Sequence, residues 1–264
     1  MTLRKIITLM TITFMMSLST LNADSTLEEI QERGKLILGT SGGMAPMTRA
    51  LKSGGAAGFD IDLAEIVAQA MGVELEIKVI PFDKLLDAVE DEKVDLAISN
   101  ITMTPERNMK VAFVGPYFVS GKCFVSKDPE LSKTQNAMMF NNTNRSIAVL
   151  EGSTSETFVK VLMPHAKRIA VTDDLAGAKL VEEGKADALL SEYPTCALIV
   201  NSNPKAEFGS LFTTLTYDPI GIAVNGEDAH MINWMQNFIL RVQASGLLEK
   251  IAVKWMGDLA QISR

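Results

Sequence analysis

The sequence contains few of the residues that build metal centres or disulfide scaffolds. Its 264 residues include two histidines and two cysteines, which do not group in the spacing of a zinc site. Two cysteines are too few for a disulfide framework. In an oxidising compartment Cys123 and Cys196 either form one pair or remain two small buried thiols. We therefore expect no metal and no cofactor.

Basic residues and long apolar runs are also scarce. The chain has 25 lysines and arginines against 32 acidic residues, which gives a net charge of −7. Such a chain repels nucleic acid and anionic membrane surfaces, so we exclude both as partners. Beyond the N-terminus, no stretch is apolar enough to match the ~20 residues of a membrane span.

The N-terminus has the pattern of a secretory signal peptide. Arg4 and Lys5 precede a largely apolar run over residues 6–18, and Leu21-Asn22-Ala23 offers a cleavage site. The alternative is a membrane anchor, for which the run is too short. No cysteine lies at this site, which disfavours a lipoprotein. We predict that residues 1–23 are removed and that the mature chain, with 23 basic and 32 acidic residues, is periplasmic.

Helix and strand patterns alternate along the rest of the chain, which predicts an α/β architecture. Strands are expected at residues 36–38, 73–80, 94–98, 146–150, 167–171 and 186–190. Helices are expected at residues 58–71, 83–90, 155–162, 173–183, 229–245 and 247–256. Gly72 is the expected C-cap of the first of these helices.

Two halves of the sequence share a short pattern. Residues 93–100 and 185–192 both follow a charged helix end, carry Asp in third place and end in Ser plus a polar residue. This pattern favours two similar α/β lobes, although convergent strand patterning explains it equally. We predict lobe 1 at residues 24–120 and 221–264, and lobe 2 at residues 121–220. Extended segments at 113–125 and 215–224 would form a hinge of two crossovers.

Ligands of open α/β sheets bind beyond the carboxyl ends of the strands. Four loops then matter, at residues 39–47, 99–107, 152–154 and 191–193. Arg107 provides a planar cation for a carboxylate, and Glu192 provides a negative charge. Hydroxyls come from Thr102, Ser153 and Thr154, the last near a helix N-terminus that favours anions. A cation and an anion from opposite lobes would fit the two ends of an α-amino acid.

Longer motifs carry a family resemblance. They are Gly58-Phe-Asp-Ile-Asp-Leu63, the run from Ile98 to Arg107 with its Thr-Pro-Glu-Arg, the run from Val111 to Tyr117, Glu151-Gly-Ser-Thr-Ser-Glu156, Gly184-Lys-Ala-Asp-Ala188 and Lys254-Trp-Met-Gly257. The mature chain resembles family 3 of the bacterial extracellular solute-binding proteins, the periplasmic polar amino-acid binders of ABC importers. The resemblance implies a monomer with a type II periplasmic-binding-protein fold, which captures an amino acid and delivers it to an inner-membrane permease.

The same resemblance assigns roles to individual residues. Arg107 would hold the ligand carboxylate with Thr102 and Thr154, and Ser99 and Asn100 would contact its polar ends. Glu192 falls where relatives usually have the Asp that pairs with the ammonium, and Phe82 falls on an aromatic wall. Met44 and Met47 lie in a loop where relatives have aromatic residues. Ser41 replaces an acid found in binders of basic amino acids, which argues against Lys or Arg as ligand.

Each assignment has a structural alternative. Arg107 is also explained as a surface residue of a helix that Thr104 caps and Pro105 opens. Thr154 is also a plausible cap, Glu192 a solvated acid, and Met44, Met47 and Phe82 core residues.

Two other functions are compatible with the same residues. A periplasmic cyclohexadienyl dehydratase would resemble these binders and use Glu192 as a general acid. A free signalling module is the other alternative, whereas a fused receptor is not expected because the chain ends soon after its last helix. We predict a binding protein without catalytic activity.

Overall fold

The computed structural model describes residues 25–130, 136–211 and 216–257. The predicted signal peptide lies outside these residues. Within them, no helix combines the length and the apolar character that crossing a membrane requires.

The first sheet has five strands in the order β5-β1-β6-β13-β7. Strand β1 pairs in parallel with β5 and β6, and β13 runs antiparallel to β6 and β7. The strands are β1 (Lys35–Thr40), β5 (Glu74–Val79), β6 (Leu96–Thr102), β7 (Ala112–Ser120) and β13 (Asp218–Val224).

The second sheet has the order β10-β9-β11-β8-β12. Strand β9 lies parallel to β10 and β11, while β8 pairs antiparallel with β11 and β12. The strands are β8 (Lys122–Ser126), β9 (Ser146–Leu150), β10 (Lys167–Val171), β11 (Ala188–Glu192) and β12 (Gly209–Leu211). We call the part of the molecule built on the first sheet the first lobe, and the part built on the second sheet the second lobe.

A small third sheet follows β1 and shapes the rim of the first lobe. It consists of β2 (Gly43–Met44), β3 (Thr48–Ala50) and β4 (Ala56–Ala57), all antiparallel. The loop predicted after β1 is therefore folded into strands.

Nine helices in the described residues cover the sheets. They are α1 (Thr26–Arg33), α2 (Phe59–Met71), α3 (Leu85–Glu90), α4 (Pro105–Asn108), α5 (Thr154–Leu162), α6 (Asp174–Glu182), α7 (Tyr193–Ser202), α8 (Ala229–Ala244) and α9 (Leu247–Met256). Gly72 ends α2 in the left-handed conformation at φ 74°, as predicted. A 3-10 turn at Phe82–Lys84 precedes α3, so the helix predicted from residue 83 begins slightly later.

Each lobe has its own hydrophobic core. In the first lobe, α8 packs on β7 and α9 packs on α2, with Phe59, Leu63 and Met235 fully buried. The C-terminal helices thus return to the first sheet, as predicted. In the second lobe, buried side chains from β8, β9 and β11 form the core together with Phe140 and Val159.

The chain passes between the sheets twice. Strand β7 ends at Ser120 in the first sheet and β8 begins at Lys122 in the second. Later, β12 ends at Leu211 in the second sheet and β13 begins at Asp218 in the first. We propose that the lobes divide at these two crossovers; β13 begins at Asp218, three residues before residue 221, where the sequence predicted that the first lobe resumes.

Candidate functional site

The first lobe presents Arg107 from a short helix at the end of β6. Thr104 caps α4 by accepting a hydrogen bond from the Arg107 N–H at 3.2 Å, and Pro105 occupies the first helical position. This cap is the one predicted, and it orients Arg107 towards the second lobe.

The Arg107 guanidinium bridges the lobes. It donates to the carbonyl of Thr102 at 2.8 Å and, across the gap, to the carbonyl of Gly152 at 3.1 Å. Its Cζ lies 5.5 Å from the centre of the Phe82 ring, in a cation–π contact. The structure thus brings Arg107 and Phe82 into contact.

Arg107 has no acidic partner among the described residues within 4.0 Å. Burial lowers the pKa of Arg107 to about 10, and the negative charges of Glu192 and Asp218 oppose this shift. The guanidinium thus stays protonated at neutral pH, as a half-buried cation without a contacting carboxylate.

Asn100 lies in β6 and has an unusual backbone conformation. Its φ is 50°, and its N–H donates to the buried carboxylate of Asp60 at 2.7 Å. Asp60 also accepts from the Tyr117 hydroxyl at 2.8 Å, and burial raises the pKa of Asp60 to about 7. The Asn100 Nδ2 is 4.0 Å from the Met44 sulfur, while its buried Oδ1 has no hydrogen-bond partner among the described residues.

Ser99 is fully buried and holds the loop after β1. Its Oγ accepts from the Ser41 N–H and donates to the Ser41 Oγ, both at 2.9 Å. Ser41 is therefore engaged by Ser99 at the edge of the site.

The second lobe contributes the start of α5. Ser153 is the N-cap, and its hydroxyl accepts from the Glu156 N–H at 3.1 Å. Thr154 follows it, with its Oγ1 3.3 Å from the Oγ1 of Thr102 in the first lobe. Capping thus describes Ser153, while Thr154 meets Thr102 across the gap.

Glu192 lies at the end of β11, in a buried cluster that the sequence did not reveal. The Lys122 ammonium is 2.5 Å from Glu192 Oε1, 2.8 Å from Thr154 Oγ1 and 3.2 Å from Asp218 Oδ2. Lys122 and Glu192 are each 2% exposed, and Asp218 is 7% exposed. We call Lys122, Glu192 and Asp218 the acid cluster. Lys122 is the one charged residue in a buried strand, which is the signal that could have indicated it.

The acid cluster gives Glu192 a partner that the sequence did not predict. The sequence predicted a lone carboxylate facing Arg107, whereas the structure pairs Glu192 with Lys122. One cation and two carboxylates leave a net charge of −1 in the acid cluster. Glu192 Oε2 is buried and has no hydrogen-bond partner among the described residues.

The two methionines of the loop differ in their surroundings. Met44 belongs to a cluster of buried side chains with Phe82 and, from the second lobe, Leu150. Met47 is fully buried in the core of the first lobe with Phe59. Both methionines are thus buried in hydrophobic clusters, and Met44 also lies beside Asn100.

A cavity of about 240 Å³ lies between the lobes, beside Ser41 and Phe82. Its lining comes from both lobes and includes Ser41, Phe82, Asp83, Leu150, Glu151 and Thr172.

The sequence left open whether Cys123 and Cys196 form a pair or remain two buried thiols. In the structure they form a disulfide between β8 and α7.

Residues 36–258 match the family model of the bacterial extracellular solute-binding proteins, family 3. The chain belongs to this family. Its structure is similar to that of an ancestral amino acid-binding protein, AncCDT-1, a precursor of cyclohexadienyl dehydratase. The two share 31% identity and a TM-score of 0.80, over 88% of this chain and 99% of the ancestral one. The predicted type II two-lobed fold is confirmed.

Two sequence relatives point to different activities within the family. A probable amino-acid ABC transporter-binding protein of Haemophilus influenzae is 25% identical over 91% of this chain and 92% of its own length. The cyclohexadienyl dehydratase of Pseudomonas aeruginosa is 27% identical over 64% of this chain. That match spans 63% of the enzyme, less than two thirds of its length.

Proposed function

We propose that this family member binds a free α-amino acid between its lobes and delivers it to an ABC importer. One observation carries the proposal. Arg107, a half-buried cation without a contacting carboxylate, faces an acid cluster of net charge −1. A zwitterion placed between them would satisfy both charges.

The carboxylate of the ligand belongs at Arg107. A guanidinium has five N–H donors, and the contacts with Thr102 and Gly152 engage the two terminal nitrogens once each. The remaining donors suit a carboxylate, and each charge-assisted bond contributes roughly 1.5–3 kcal/mol. Thr154 lies close enough to Thr102 for its hydroxyl to share this contact.

The ammonium of the ligand belongs at the acid cluster. Glu192 Oε2 and Asn100 Oδ1 are buried acceptors without partners among the described residues. A buried acceptor left unsatisfied costs roughly 1–3 kcal/mol, and an ammonium offers three N–H donors. The site is thus short of donors on the side where the ammonium would lie.

The cellular context follows from the function. A cleaved signal peptide, a periplasmic location, a monomeric state and a permease partner are all parts of this proposal. We also propose that the protein has no catalytic activity of its own, because ligand binding accounts for the charges of Arg107 and of the acid cluster.

A ligand screen tests the proposal. Refolded, ligand-free protein is titrated with the twenty proteinogenic L-amino acids and L-cystine while thermal unfolding is followed. A true ligand at a hundred times its dissociation constant stabilises the fold by about 2.7 kcal/mol. At least one compound should raise the melting temperature in this way, and confirmation by calorimetry should give one site per chain. No shift with any compound would contradict the proposal.

The dehydratase remains a second candidate because of one observation. Glu192 has a buried oxygen without a partner, where a general acid would need to reach its substrate. However, Lys122 at 2.5 Å is the natural partner of an ionised carboxylate, whereas a general acid has to carry a proton. Incubation with prephenate and arogenate, followed by detection of an aromatic product, decides between the two. We expect no product.

A further inference from the structure

Lys122 has a complete set of acceptors. Its ammonium has three N–H donors, and three acceptors lie within 3.2 Å: Glu192 Oε1, Thr154 Oγ1 and Asp218 Oδ2. The side chain is 2% exposed. Lys122 is therefore fully engaged within the protein and has no donor to offer a ligand.

The bond to Thr154 sets the direction of a hydroxyl. A hydroxyl has one hydrogen. Because Thr154 Oγ1 accepts from Lys122, its own hydrogen points away from the ammonium. Thr102 Oγ1 lies 3.3 Å away, and either hydroxyl can donate in that contact. Thr154 thus keeps its hydrogen for an acceptor other than Lys122, at the end of the site that holds Arg107.

The bond to Glu192 makes the two oxygens of its carboxylate different. Oε1 takes the Lys122 ammonium, whereas Oε2 has no partner among the described residues. A lysine binds as a point donor and leaves the second oxygen free, which a bidentate arginine would not do. Glu192 thus acts as an acceptor at the opposite end of the site.

We propose that Lys122 is a positioning residue that gives the site its polarity, with a donor for the carboxylate and an acceptor for the ammonium. This inference rests on the proposed function, since it states how the two ends of the amino acid are told apart. Asp218 holds Lys122 in place from the second crossover, where Thr216 donates to Asp218 Oδ2 at 2.5 Å and accepts from the Lys122 N–H at 3.0 Å.

A competing explanation is that Lys122 only balances charge. The double variant K122M/D218N separates the two explanations, because it removes one cation and one anion and keeps the net charge of −1. The double variant K93M/D91N is its control, since it removes an exposed lysine–aspartate ion pair outside the acid cluster and also leaves the net charge unchanged.

The probe is the L-amino acid that the wild-type protein binds most tightly in the screen above, with its N-acetyl derivative and its primary amide. Calorimetry measures the dissociation constants of these three compounds for the wild type and for each variant. We expect the double variant to bind the free amino acid about 10- to 100-fold more weakly. The affinity ratios of the free amino acid to its N-acetyl and amide forms should also shrink, which a loss of folding alone would not produce. K93M/D91N should keep the wild-type affinity and those ratios.

Affinities and ratios in the double variant equal to those of the wild type would overturn the inference while leaving the proposed function intact. A wild-type protein that binds no amino acid would overturn both. If the double variant does not fold, K122R replaces it, because arginine keeps the charge but can occupy both oxygens of Glu192. An unchanged N-acetyl ratio in K122R would then contradict the inference.

Discussion

At the scale of single residues, Arg107 and Glu192 each lack a partner that a bound zwitterion would supply. Arg107 has hydrogen bonds to two carbonyls and a ring beneath it, but no carboxylate within salt-bridge distance in the described chain. Glu192 has a cation on one oxygen and no partner for the other. Desolvated charges of this kind are costly without a partner, so they indicate a site built for a ligand.

Replacing Arg107 with alanine should remove the carboxylate contact. We expect R107A to lose about 2–5 kcal/mol of binding free energy for the amino acid identified in the screen, because one partner of a buried charge pair is deleted. Isothermal titration calorimetry measures the loss. R241A, at an exposed arginine on α8, is the matched control and should bind as the wild type does. Retained affinity in R107A would show that the carboxylate binds elsewhere.

Asp60 predicts a dependence of stability on pH. Burial raises its pKa from 3.8 to about 7, so between these values the folded state binds more protons than the unfolded chain. The free energy of unfolding should therefore fall as pH rises from about 4 to about 7, and level off above.

The variant D60N tests this, because asparagine keeps the shape without the charge. Urea denaturation at pH 5 and pH 8 measures how far the free energy of unfolding falls between these two pH values. This fall should be smaller in D60N than in the wild type by roughly 1–3 kcal/mol. Asp174 has a similarly raised pKa of about 7 from burial, so part of the decline should remain. D91N, at an exposed acid, should decline as the wild type does. An identical decline in D60N would contradict the assignment.

Sequence reasoning predicted the residues whose roles follow from local order. Arg107, Thr102 and Thr154 lie at strand ends or helix starts, where chain direction alone brings them to the gap. The contact between Lys122 and Asp218 could not be predicted, because the two residues are 96 positions apart and meet only through the pairing of the two crossovers. The apolar strand around Lys122 could have indicated a buried lysine, but not its partners.

At the scale of elements, the disulfide joins the strand that carries Lys122 to the helix that Glu192 precedes. Cys123 follows Lys122 in β8, and Cys196 lies in the first turn of α7. The sequence left this pairing open because spacing gives no proximity. The bond joins residues that are 73 positions apart, so it reduces the conformational entropy of the unfolded chain.

The variant C123A/C196A should lower the free energy of unfolding by about 2–4 kcal/mol. Urea denaturation of the oxidised wild type and of the variant measures the difference. As a control, a reducing agent should lower the free energy of unfolding of the wild type and leave that of the variant unchanged. Equal stability of the oxidised wild type and the variant would mean that the pair does not form in the folded protein.

Periodicity predicted most helices and strands but not their ends at the site. Strand β6 continues to Thr102, past the predicted Ile98, because the polar residues Ser99 and Asn100 are buried by partners from distant segments. The pattern of side chains alone cannot distinguish such satisfied polar residues from the start of a loop.

At the scale of the whole molecule, the lobes are in close contact around the site. Gly152 lies so near Asp83 that a Cβ there would approach the Asp83 Cβ to 2.7 Å, and its φ is 72°. Gly43 similarly faces Thr172 and Asp173 of the second lobe. Glycine at these two rims allows the backbones to approach, which would enclose a ligand.

Gly43 offers the cleaner test of closure, since its backbone is not in the left-handed region. In G43A the new Cβ would lie 3.0 Å from the Thr172 carbonyl oxygen, so closure should cost about 1 kcal/mol or more. Calorimetry should show weaker ligand binding with little change in the stability of the ligand-free protein. G226A, where a Cβ meets only ordinary contacts, is the control. Unchanged affinity in G43A would mean that the ligand-bound form does not bring these segments together.

The most direct measurement is a crystal structure of the protein with the amino acid that gives the largest thermal shift. We predict one ligand between the lobes, with its carboxylate on Arg107 and its ammonium within hydrogen-bond distance of Glu192 Oε2. A ligand bound with its carboxylate away from Arg107, or with its ammonium out of reach of Glu192, would contradict the central claim.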